Sequence, residues 1–209
     1  MDIFLLYNVY GGYMRLDNKG FTLIEVIAVV AIITILSVVV VPSVLNSINN
    51  GKQKSYEVLV GDIKIAAKEL YEEVYSNELL GDTSKLYQYS YDVDNKKISK
   101  DNNDVIEITN NCTKEGYSCI ETNLQTLVSN GFLSGSTYGN KQKVILNVRE
   151  DNANMGNCSI KIVRVVNSSS NKVSYKVVAI NEIKNSNEKN ICPTQDEYDK
   201  GVSYDGISR

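Results

Sequence analysis

One isolated carboxylate and four cysteines are the residues whose type and spacing bear on chemistry in this chain. The carboxylate is Glu25, the sole ionisable side chain in the run from Phe21 to Val41, FTLIEVIAVVAIITILSVVVV. A charge inside an apolar helix is costly and usually marks function, so Glu25 needs a partner or a proton. Histidine is absent from the sequence. That removes Ser-His-Asp, Cys-His and His-ligated zinc chemistry, and neither an enzymatic activity nor a cofactor is expected. The cysteines, Cys112, Cys119, Cys158 and Cys192, lie in the C-terminal half and form no CxxC pair. An even number behind a membrane segment fits disulfides made outside the cytoplasm. A four-thiolate zinc site is the competing reading, but the short paired spacing of such sites is missing and no metal is expected. Four cysteines allow three connectivities. The short, turn-compatible CTKEGYSC favours Cys112 with Cys119, leaving Cys158 with Cys192 as a clamp on the tail.

The element that must carry Glu25 is a helix. At about 1.5 Å of rise per residue, about 20 apolar residues cross a hydrocarbon core of about 30 Å, and the block from Phe21 is that long. A buried soluble helix would show a polar face, and a cleavable secretory signal would be shorter and end at a small-x-small site. This block ends at Val41, Pro42 and Ser43, so it is read as retained. Arg15 and Lys19 precede it and place the N-terminus in the cytoplasm, with everything after Pro42 outside. Snorkelling of Glu25 to the headgroups is the plain alternative to a role in assembly.

The octet KGFTLIEV, with Gly20 before Phe21 and Glu25 four residues on, resembles the prepilin processing motif of type IV pilins and type II secretion pseudopilins. The resemblance runs closely from Lys19 to about Pro42, where the family's helix commonly carries a proline. It implies cleavage after Gly20 by a membrane-embedded aspartyl prepilin peptidase, methylation of the Phe21 amine, and pairing of Glu25 with the Phe21 amine of an adjacent subunit. It also implies other pilin subunits, an assembly platform and an ATPase as partners. The implied product is an extracellular filament for adhesion, motility or surface colonisation, drawn from a single-pass membrane precursor. The alternative within the same resemblance is a pseudopilin of a type II secretion or competence (DNA uptake) system. Residues 1–20 are the expected leader, 21–42 the transmembrane and polymerisation helix, and 43–209 the extracytoplasmic head. The leader is longer and more aromatic than the family's usual one. Met14 offers a simpler start, MRLDNKG, which would make residues 1–13 an over-called start or an extension.

The rest of the chain reads as a small α+β domain. Leu59, Ile63, Ala66, Ala67, Leu70 and Val74 recur at helical spacing, extending the first helix to about residue 80, with Pro42, Gly51 and Gly61 as sites of bending or local unwinding. Residues 81–119 read as a connecting region in which YQYSYDV is one short strand. IETNLQTLVSNGFL reads as a short helix stopped at Gly131. KVILNV, SIKIVRVV and KVSYKVVAI read as three strands of one antiparallel sheet. The fold class expected is a long N-terminal helix, membrane-spanning in its first half, packed by its second half on a small antiparallel β-sheet. Asp101–Glu107 and the DEYDKG stretch carry oxygen ligands without a calcium-loop pattern and read as solvated loops. The tail after Cys192 lacks apolar periodicity and is expected to be tied back by the disulfide instead of by packing. Asn111 and Asn167 match glycosylation acceptors, as chance allows in an Asn-rich chain. With 209 residues, net charge -3, pI near 5.2 and scattered Lys and Arg, no nucleic-acid partner is expected.

Overall fold

The computed structural model describes residues 21–82, 85–109, 112, 117–138, 142–167 and 170–200. The leader, with Met14, Arg15, Lys19 and Gly20, lies outside the described residues, as do residues 113–116 of the CTKEGYSC loop. The chain is α+β and divides into two compact units, Met1–Asn46 and Ser47–Arg209.

Helix α1 (Leu23–Leu80) begins in the first unit. Its apolar stretch is long enough to cross a membrane and none of that stretch is buried. The polar side chains of the stretch are satisfied within the helix. Thr34 donates from Oγ1 to the Val30 carbonyl at 2.8 Å, and Ser37 donates from Oγ to the Ile33 carbonyl at 2.7 Å. Such back-bonding is what a hydroxyl needs where no water can reach it. The helix runs through Pro42, Gly51 and Gly61 without the local unwinding expected there. Pro42 costs one backbone bond, and the neighbouring turns hold. The helix stops at Gly81, whose φ of 66° is left-handed, with the Asp82 N–H bonded to the Asn77 carbonyl.

In the second unit the buried stripe of α1 runs Tyr56, Val60, Ile63, Ala66, Ala67, Leu70, Tyr71 and Val74, one helical face. It joins one core with the sheet β3 (Ser118–Asn123), β8 (Ser159–Asn167) and β9 (Lys172–Ala179), antiparallel in the order β3-β8-β9. Ile120, Ile162 and Val177 stand in register across the three strands and are 0%, 0% and 5% exposed. The rings of Tyr71 and Tyr175 meet with centroids 5.4 Å apart, joining helix to sheet.

Several elements differ from the sequence reading. The third strand of the main sheet is β3 and not KVILNV, which is divided between β5 (Gln142–Val144) and β6 (Leu146–Asn147). These pair with β4 (Ser136–Tyr138) and β7 (Ala153–Asn154) in separate two-stranded ladders. The helix α2 (Leu124–Ser129) is shorter than expected because Asn123 is still extended and its Oδ1 accepts from the Thr126 N–H, fixing the first turn there. Residues 87–105 form a hairpin, β1 (Tyr87–Asp92) with β2 (Lys97–Val105), so Asp101–Val105 lie in a strand and not in a loop. The tail makes a short helix, α3 (Gln195–Lys200), whose Tyr198 is 2% exposed, so it is packed as well as bridged.

Candidate functional site

The segment that begins α1 brings together three of the residues singled out by sequence. Phe21 precedes the helix and is 85% exposed, Glu25 lies in the first turn, and Pro42 lies within the same helix. Thr22 and Glu25 form a reciprocal pair. The Thr22 N–H and Thr22 Oγ1 both donate to Glu25 Oε2 at 2.8 Å, and the Glu25 N–H donates to Thr22 Oγ1 at 3.3 Å. This is the capping-box arrangement of Thr-x-x-Glu, which satisfies backbone donors left over at a helix start. A carboxylate in the first turn also meets the positive end of the helix dipole. Both bonds fall on Oε2, so the other carboxylate oxygen is directed to no group among the described residues.

The capping role of Thr22 was not anticipated, although TLIE is its signature. The apolar side chains that follow are exposed all round the helix, including Leu23, Ile24, Ile27, Val30 and Ile33. A surface of that kind is stable only in lipid or against other apolar helices.

The four cysteines lie in the second unit and are bonded as Cys112 to Cys119 and Cys158 to Cys192. Their loops span 7 and 34 residues. Cys158 opens onto β8, and Cys192 immediately precedes the turn into α3.

A second polar cluster, which the sequence reading missed, fixes α3. The Arg149 guanidinium lies over the Tyr56 ring and pairs with Glu197, and the Tyr56 hydroxyl donates to Glu197 Oε2 at 3.1 Å. Burial is the largest cause of the upward shift of the Tyr56 hydroxyl, with the Glu197 charge adding to it. Burial alone would raise Glu197 too. The Thr194 N–H and the Arg149 guanidinium outweigh that and hold the carboxyl below its ordinary value. Lys64 donates from Nζ to the Tyr198 carbonyl at 3.0 Å, and burial lowers its pKa. The signal that could have found this cluster is TQDE, a second Thr-x-x-Glu, whose Thr194 N–H donates to Glu197 Oε2 at 2.8 Å.

With this geometry in view, comparison with known families is informative at the N-terminus. Residues 15–41 match the family model of the prokaryotic N-terminal methylation motif. The chain carries a type IV prepilin-like signal. The match includes Gly20, Phe21, Thr22 and Glu25 and ends one residue before Pro42. It joins the capped helix start and the apolar run into one unit of sequence, read as a membrane-anchoring, processable segment. No curated protein and no solved structure matches the chain.

Proposed function

We propose that this chain is a structural, non-enzymatic subunit of a type IV pilus-like surface filament. A prepilin peptidase cuts it between Gly20 and Phe21 and the new amine is methylated. The membrane segment then joins those of other subunits, driven by an assembly platform and ATPase. Arg15 and Lys19 keep the leader on the cytoplasmic face, and the head beyond Pro42 stands outside. The filament serves adhesion, motility or surface colonisation.

The observation that carries this reading is the match over residues 15–41 to a segment with Glu25 as its one ionisable residue beyond the cleavage point. In lipid, the Thr22 donors meet part of the need of the carboxylate. In a bundle of apolar helices an ammonium from an adjoining subunit would meet the rest, and each charge would be costly without the other. That difference gives polymerisation a register.

Glu25→Ala tests it. Insertion and folding of the head should persist, because the substitution only removes a polar group from an apolar helix. Assembly should fail, since removing one partner of a buried pair costs about 3–5 kcal/mol per contact. The variant should accumulate as processed monomer in the membrane. Normal filaments built from the variant alone would refute the role of Glu25 in assembly.

A further inference from the structure

Among the described residues β9 is an edge strand of the main sheet, paired with β8 on one side alone. The Ile180 N–H bonds to the Ser159 carbonyl, which turns residues 178 and 180 toward β8 and the N–H and C=O of Val177 and Ala179 toward the open side. α3 lies against β9 and covers that side with a side chain in place of a strand. Gln195 accepts from the Ala179 N–H through Oε1 at 3.1 Å and donates from Nε2 to the Val177 carbonyl at 3.3 Å. One amide group thereby takes two of the four bonds that a neighbouring strand could make to Val177 and Ala179.

The position of Gln195 is held from several directions. Its Nε2 also donates to Asp199 Oδ1 at 2.9 Å. Two residues along, Glu197 is bonded to Arg149 and Tyr56, and the Tyr198 carbonyl takes the Lys64 ammonium. Side chains close other strand edges of this head in the same manner. Asn157 bonds both the N–H and the C=O of Tyr91, and Gln88 Nε2 donates to the Glu121 carbonyl on β3. Gln195 differs from these in sitting on α3, a helix laid against the strand and not part of a strand or of the turn before one.

The geometry points to α3 as a guard on the β9 edge, with Gln195 occupying the positions that β9 of a second copy of this chain would otherwise pair with. An open edge is a template for such pairing, and two β9 strands related by a two-fold axis present the same groups to each other. Lys172 on the strand acts in the same sense by repulsion, while Lys176 pairs with Asp199 of α3 at 4.0 Å. The filament reading supplies the reason such a guard matters, since it crowds many heads together. The hydrogen-bonding geometry does not depend on that reading.

The test uses the full-length chain in detergent micelles and compares it with Gln195→Ala and Gln195→Glu. The Ala179 amide should exchange roughly tenfold faster in Gln195→Ala, while Gln195→Glu, which keeps an acceptor for it but loses the donor to Val177 and Asp199, should retain part of the protection. Sedimentation of Gln195→Ala should show a concentration-dependent dimer beyond whatever the unchanged chain forms. Unchanged exchange at Ala179, equal loss of protection in both variants, or no added association once Ala179 is exposed would each overturn the guard. A chain that is not cleaved after Gly20, or that never polymerises, leaves these three readouts as they are, so the two readings fail separately.

Discussion

Arg149 lies over Tyr56, its Cζ 4.1 Å from the ring centroid, and both side chains converge on the Glu197 carboxylate. The three residues come from the turn after β6, the long helix and the C-terminal helix, so the cluster holds the ends of the head together. Arg149→Ala removes a charged hydrogen bond and a cation–π contact from a half-buried site. The expected loss is about 2 kcal/mol. For a head of this size, thermal unfolding should move down by about 4–8 °C.

The same cluster sets an acid limit on stability. Glu197 titrates below its ordinary 4.5 in the folded head. A carboxyl with a depressed folded pKa binds its proton more readily when unfolded, so its contribution is present above about 4.5 and is lost as pH falls through the lower folded value. Denaturant midpoints should therefore be flat in this contribution from neutrality to about pH 5 and drop below it. Glu197→Gln should lower the neutral midpoint and flatten the acid limb. An acid limb as steep as that of the unchanged chain would mean that other carboxylates set it.

The two disulfides close loops of very different length, 34 residues for Cys158 with Cys192 and 7 for Cys112 with Cys119. On the chain-entropy estimate the longer closure stabilises the head by about 3.8 kcal/mol and the shorter by about 2.4 kcal/mol. Replacing Cys158 and Cys192 together by Ala should cost more than replacing Cys112 and Cys119, as read from urea midpoints under identical conditions. The order reversed would show that packing of α3, through Tyr198 and Gln195, carries the tail without its bridge.

Thr22→Val removes a cap while keeping shape. The first turn of α1 should fray, with a loss of about 1 kcal/mol and faster exchange at the Leu23–Glu25 amides in micelles. Exchange further along, at Val29–Ile33, should not change.

What could be read from sequence follows from how local each signal is. The apolar run of α1 is spelled by consecutive residues and its buried face by regular spacing, so the helix and the stripe at Ile63, Ala66, Ala67 and Leu70 were legible, whereas the Thr22 cap, spelled as locally, went unread. β8 and β9 were legible as a hairpin because each is strand-like along its whole length and a turn separates them. β3 was not, since Ile120, Leu124 and Leu127 also fit a helical spacing. Pairing with β8, whose residues lie well over thirty positions further along the chain (Asn123 meets Ser159), decided for a strand at Ile120, and the Asn123 cap decided where the helix begins. The packing of α3 was hidden for a different reason. Its one core residue, Tyr198, gives no periodicity, and its other ties are polar side chains meeting residues distant in sequence.

The most direct test of the whole account is the mass of the mature N-terminus, taken from the membrane fraction of cells that make the chain together with a prepilin peptidase. The account predicts a protein that begins at Phe21, with residues 1–20 gone and the new amine carrying one methyl group, while the apolar run through Val41 is retained. A protein that keeps the leader in the presence of active peptidase, begins at another residue, or has lost the apolar run would contradict it.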